Sequence, residues 1–135
     1  MKILIDTNIL LDLVLKREHY KEAVIILNSI EEGLFEGVIL DISLLNIDYI
    51  AKKQVKEIRD FLKLLNNLLM VVGATNKMIK LALELNKVDL EDNLQYICAR
   101  EVGVKSIITN DKNFYSPDIE VINSVDFIKK HIEGV

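Results

Sequence analysis

Lys2-Ile3-Leu4-Ile5-Asp6 opens the chain as an apolar run of strand length that stops at a carboxylate. Four further short runs repeat that texture: Val38 to Ile42, Leu69 to Val72, Ser106 to Thr109 and Glu120 to Ile122. The runs do not alternate apolar with polar residues, so they read as strands buried on both faces. That pattern belongs to a parallel sheet covered by helices on either side.

The segments between the runs carry helical spacing. Glu18 to Glu32 sets Tyr20, Ala23, Val24, Leu27 and Ile30 at that spacing, and Gly33 follows where a helix end accepts a left-handed residue. Ser43 precedes a helix through about Lys53, and Val55 to Asn67 makes another. Thr75 can cap Asn76 to Asn86, Asp89 can cap Leu90 to Val102 with Gly103 closing it, and Ser124 can cap a last helix to about His131. Strands separated by helices imply right-handed crossovers. The expected class is α/β, a three-layer α/β/α sandwich around a mostly parallel sheet of four or five strands. With 135 residues and no linker, low-complexity tract or repeat, one domain spanning 1–135 is expected.

Composition narrows the function classes. Half of the residues are hydrophobic and 28% are charged, a globular balance, and no apolar run is long enough to cross a bilayer. The opening apolar stretch is too short for a signal peptide and lacks a cleavage site, which leads to a cytoplasmic expectation. Cys98 is alone, so it cannot form an internal disulfide, and its helical apolar setting reads as core filler. A net charge of -4 rules out the basic footprint of a protein that coats nucleic acid. Any polyanion must be met locally, by a bound metal or by clusters such as Lys16-Arg17, Lys52-Lys53 and Lys56 with Arg59.

In open parallel sheets, binding side chains gather beyond the carboxyl ends of the strands. Asp6 ends the first strand there, and Asp111 comes two residues after Thr109 at the end of the fourth. Asp92 opens the helix leading into that fourth strand, on a side of the wheel away from Leu94, Ile97 and Cys98. Taken singly, each acid is an ordinary turn, cap or helix-start residue. Taken together, crowded carboxylates repel unless a cation intervenes. Magnesium or manganese prefers such oxygen ligands and keeps waters that can serve as nucleophiles on a phosphodiester.

Three segments carry a resemblance. Ile5-Asp6-Thr7-Asn8-Ile9-Leu10-Leu11-Asp12, then Leu90-Glu91-Asp92-Asn93-Leu94-Gln95-Tyr96 with Ala99 beyond, and Ile108-Thr109-Asn110-Asp111-Lys112-Asn113-Phe114 are similar to the signatures of the PIN-domain family. That family is the nuclease fold of many toxin halves of bacterial and archaeal toxin-antitoxin pairs, the VapC-like toxin ribonucleases among them. The order and spacing match across almost the whole chain. The resemblance implies a Mg²⁺- or Mn²⁺-dependent endoribonuclease with Asp6, Asp92 and Asp111 as metal ligands. It implies that Thr7 and Asn8 shape the loop around the first ligand and that Thr109 orients Asp111. It further implies an RNA substrate, an antitoxin partner and a homodimer formed through helices near the N-terminal half.

The chain departs from the family in one place. PIN domains usually carry a Glu early in the helix after the second strand, whereas Ser43-Leu44-Leu45-Asn46-Ile47-Asp48-Tyr49 has none. Asn46 best matches the position that a subgroup fills with an amide, and Asp48 is the nearest acid. An amide adds no negative charge, so metal should bind more weakly than at a four-acid site. A PIN-fold binding or scaffold module without turnover is the alternative expectation.

Rival readings lack their residues. The glycines form neither a dinucleotide fingerprint nor a phosphate loop. A phosphoacceptor receiver would need an Asp at the end of the third strand, where Val72-Gly73 stand, and a haloacid-dehalogenase-like phosphotransferase a second Asp at Asn8. His19 and His131 have no partners at metal spacing and read as surface residues. Asp12, Asp41, Asp89 and Glu91 read as cap or solvent acids, with Asp12 and Glu91 near enough to lie behind the ligands.

Overall fold

A computed structural model describes residues 1–87 and 89–133. Five strands, β1 (Lys2–Ile5), β2 (Glu36–Leu40), β3 (Met70–Val72), β4 (Ser106–Ile108) and β5 (Glu120–Ile122), pair in parallel in the order β3-β2-β1-β4-β5. Helices α1 (Thr7–Val14), α2 (Tyr20–Glu31), α3 (Asp41–Ala51), α4 (Ile58–Leu68), α5 (Asn76–Glu84), α6 (Leu90–Val102) and α7 (Ser124–Phe127) connect or follow them, and Ile128–Glu133 continues α7 as a wider π-helical turn. None of these helices is long and apolar enough to cross a membrane.

The alternation of side chains along each strand builds the three layers. Ile3 and Ile5 of β1, Ile39 of β2 and Ile108 of β4 face one core, which α1, α2, α3, α4 and α7 cover through Leu10, Ile26, Ile47, Leu65 and Phe127. Leu4, Val38, Leu40 and Ile107 face the other, covered by α5 and α6 through Met78, Ala82, Ile97, Cys98 and Ala99. Cys98 is fully buried there, as a small hydrophobe should be. Expected helix ends hold where the local chemistry is strong. Thr75 Oγ1 accepts from Met78 N–H at 3.2 Å, Asp89 Oδ1 accepts from Asp92 N–H at 3.0 Å, and Gly33 and Gly103 sit at φ of 84° and 77°.

Three local expectations are corrected. The residues after Asp6 do not form a loop: Thr7 and Asn8 are the first turn of α1, because Ile9, Leu10 and Leu11 bury a helical face rather than prolong the strand. The second strand ends at Leu40, and α3 starts at Asp41, whose Oδ1 accepts from Ile42 N–H at 2.8 Å and from Ala74 N–H at 3.3 Å. Asn123, not Ser124, caps α7, accepting from Asp126 N–H at 2.8 Å. Ser124 is buried instead, donating its N–H to Asn110 Oδ1 at 3.1 Å and so tying α7 to the segment after β4.

Candidate functional site

The strand order creates the site. From β1 the chain runs outward to β2 and β3, then returns to place β4 on the other flank of β1 and β5 beyond it. Segments leaving β1 and β4 therefore diverge, which opens a crevice beyond their carboxyl ends. Ile5 pairs with Ile108, so Asp6 and Thr109 emerge as the next residues of adjacent strands.

Asp6 is almost wholly buried at that point. Its Oδ2 accepts from Thr109 Oγ1 at 2.7 Å and its Oδ1 from Gln95 Nε2 at 3.1 Å. The Thr109 hydroxyl oxygen accepts in turn from Asp111 N–H at 3.0 Å, so one hydroxyl fixes both the first acid and the backbone of the last. Asp111 Oδ1 accepts from Asn113 N–H at 2.9 Å, which turns the loop back beneath its side chain.

Asp92 enters from the opposite layer. It stands in the first turn of α6 and is only 9% exposed, although the helical wheel left it outside the core. The reason is that α6 is buried continuously from Asp92 to Ala99, between the sheet, α5 and the loop joining β4 to β5, and has no solvent stripe there. Burial, followed by a hydrogen bond with Asp111 and the charges of Asp6 and Asp89, pushes its carboxyl up from 3.8 to about 8. Three acids from distant parts of the chain thus meet and repel. Among the described residues, ion pairs lie elsewhere, at Arg17–Asp12, Arg59–Asp48 and Lys130–Glu120, and no lysine or arginine neutralises any of the three.

The donor set suits a hard divalent cation, being oxygen-only, electrostatically frustrated and not ion-paired to lysine or arginine among the described residues. As the side chains stand, no three acidic, histidine or cysteine side chains among the described residues encircle one point. Asp6 is held in place by Thr109 and Gln95. Two clefts flank them. One of about 540 Å³ runs past Asp92, Asp111, Lys87, Lys112 and Tyr115, and another of about 670 Å³ past Asp111, Asn110, Asp126 and His19.

A second constellation bridges the layers above the sheet. Glu91 Oε1 accepts from Thr7 Oγ1 at 2.8 Å, and Oε2 accepts from Asn46 Nδ2 at 3.1 Å. Thr7 Oγ1 also lies 2.8 Å from Ser43 Oγ. A hydroxyl has one proton, and the carboxylate can only accept, so Ser43 is the donor in that contact. Asn46 and Asp48 stand differently towards this constellation. Two residues apart on α3, they point to different sides, and Asp48 is 3.6 Å from Arg59 Nε on α4, away from Asp92 and Asp111. Asn8 is exposed on α1.

Sequence reading passed over Gln95, Ser43 and the full part played by Glu91. Gln95 carries a signal in retrospect: it is a polar residue within the otherwise apolar stretch Leu94 to Ala99, three positions after Asp92, and therefore shares the face of Asp92. Ser43 carries none, since a serine near a helix start reads as a cap. His19 reaches the cleft edge from a left-handed backbone position, between Glu18 and Glu22. His131 is not a surface residue either; its ring lies 4.8 Å from that of Phe127 and its Nε2 is 3.3 Å from Glu120 Oε1.

Comparison with known proteins agrees with this fold. A family model described as the PIN domain matches residues 2–113. Ribonuclease VapC1 of Aquifex aeolicus is 30% identical over 136 residues, an alignment covering 96% of this chain and 94% of that protein. Among solved structures, VapBC2 from Rickettsia felis bound to a promoter DNA fragment superposes with a TM-score of 0.68 at 19% identity, covering 91% of this chain and 98% of that one. A toxin-antitoxin complex from Klebsiella pneumoniae gives 0.66 at 20%, covering 90% and 97%. VapC20 of Mycobacterium tuberculosis, a toxin that cleaves the sarcin-ricin loop, gives 0.67 at 11%, covering 83% and 92%.

Proposed function

Since this chain belongs to the PIN-domain family, we propose that it is a metal-dependent endoribonuclease that hydrolyses RNA phosphodiester bonds as the toxin of a toxin-antitoxin pair. The observation that carries the reading is Asp92, nine-tenths buried beside Asp6 and Asp111, with no lysine or arginine ion-paired to any of the three among the described residues. Asp6, Asp92 and Asp111 are the ligands in this account, and the cation is Mg²⁺ or Mn²⁺. When bound, such an ion stabilises charge developing on phosphate and acidifies water.

The chain's own residues supply the rest. Thr109 and Gln95 hold Asp6 in one rotamer, so its oxygens need no reorganisation when a cation arrives. Thr109 also sets the backbone of Asp111. Thr7 and Asn46 fix the position of Glu91, the residue before Asp92. The two clefts meeting at Asp111 offer a path for a single RNA strand across the carboxylates. Lys87 and Lys112 on one wall are placed to meet its phosphates.

The toxin assignment draws on the relatives: one is a ribonuclease of the VapC kind, and the similar folds come from complexes with antitoxins. A cytoplasmic location, an antitoxin partner and a homodimer belong to the same reading. The test is cleavage of a mixed RNA pool by purified protein with Mn²⁺. Wild type cuts, chelator stops it, and Asp6→Asn abolishes it with the fold intact. Equal inertness of wild type and variant would replace the enzyme with a binding or scaffold module.

A further inference from the structure

The family acid missing from α3 leaves the site one charge short, and the structure shows what stands in that place. Asn46 does not face open solvent or a cation; its amide donates to Glu91, which arrives from α6 on the other side of the sheet. Glu91 adjoins Asp92 in sequence, and its second oxygen is held by Thr7, the neighbour of Asp6. Its carboxylate is thus fastened to the residue after Asp6, and its backbone adjoins Asp92. Both of its oxygens are taken by donors, yet neither donor is a cation, so its full negative charge stays at the site.

We propose that Glu91 is the fourth carboxylate of the centre, carried on α6 instead of α3, and that Asn46 is its positioning residue. The inference rests on the metal-dependent reading above and extends it to a residue outside the three-aspartate set. The amide at position 46 follows from the arrangement. A carboxylate there would face Glu91 at hydrogen-bond distance and repel it, whereas an amide donor aims it. Beside it, Asp92 is nine-tenths buried next to Asp6 and Asp111, and none of the three is paired with a lysine or arginine among the described residues.

Mn²⁺ titration of RNA-free protein, read by calorimetry or by the electron paramagnetic resonance of free Mn²⁺, tests this directly. Glu91→Gln keeps the shape and removes the charge. It should weaken Mn²⁺ about tenfold or more, the range typical of groups that support metal ligands. The paired variant Asn46→Glu with Glu91→Gln returns the charge to α3 and exchanges donor for acceptor. It should recover most of the affinity, which a purely structural role would not permit. Wild-type affinity in Glu91→Gln, or no recovery in the pair, overturns the inference while leaving the three-aspartate centre standing. A wild type that takes up no Mn²⁺ overturns both.

Discussion

Thr109 and Asp6 leave adjacent strands side by side, and the hydroxyl of the first donates to the carboxylate of the second at 2.7 Å in a setting closed to water. The same hydroxyl oxygen takes the N–H of Asp111. One threonine therefore couples the acid after β1 to the acid after β4, and the rigidity of the sheet is passed directly to both.

Replacing it isolates that coupling. Thr109→Val keeps the shape, leaves an oxygen of buried Asp6 without its donor and frees the backbone of Asp111. The expected cost is about 1–3 kcal/mol in chemical denaturation, the penalty for an unsatisfied buried group. RNA cleavage should fall at least tenfold with Mn²⁺ saturating. Undiminished stability and cleavage would remove Thr109 from the account.

Asp92 gives a pH signature in metal-free protein. Its folded-state carboxyl is raised from 3.8 to about 8, by burial first and then by Asp111, Asp6 and Asp89. The folded state thus holds the proton more tightly than the unfolded chain. Its contribution to stability is complete below about pH 4 and is lost progressively as pH rises towards 8. Thermal melts in chelator should show that decline. Asp92→Asn should flatten it and raise the melting temperature near pH 7.5 by about 3–6 °C, while abolishing cleavage.

Metal should act in the opposite sense. Mn²⁺ at about a hundred times its dissociation constant should stabilise wild type by roughly 2.7 kcal/mol. Binding at pH 7 should release protons, since the cation displaces the one held by Asp92. Calorimetry in buffers of different ionisation enthalpy reads that release directly, and Asp92→Asn should show neither the release nor the stabilisation.

Asp48 serves as the control. Its partner Arg59 is 80% exposed, so the ion pair is worth little, and Asp48→Asn should change stability by less than about 1 kcal/mol. RNA cleavage and Mn²⁺ affinity should match wild type. A loss of metal affinity would move the fourth acid from Glu91 on α6 to Asp48 on α3.

What the sequence disclosed follows the kind of force that shapes each part. Ile3 to Ile5 and Ile107 with Ile108 announce a doubly covered sheet because burial on both faces removes polar residues. Asp6, Asp92 and Asp111 could be placed at one edge from strand ends and family resemblance together, and the structure brings their side chains into electrostatic contact. Helix α1 was illegible because Ile9, Leu10 and Leu11 extend an apolar run past Asp6 without a turn residue between. Ser43, Glu91 and Gln95 act through contacts with Thr7, Asn46 and Asp6, residues distant in sequence whose pairing no local pattern encodes. The same holds for His131, whose ring is drawn under Phe127 by the wide last turn.

An anomalous difference map from crystals grown with Mn²⁺ tests the central claim most directly. The account predicts one strong peak bounded by carboxylate oxygens of Asp6, Asp92 and Asp111, and its disappearance in Asp92→Asn. A map with no peak among these three side chains, or with a lysine or arginine turned in to neutralise them, would contradict it.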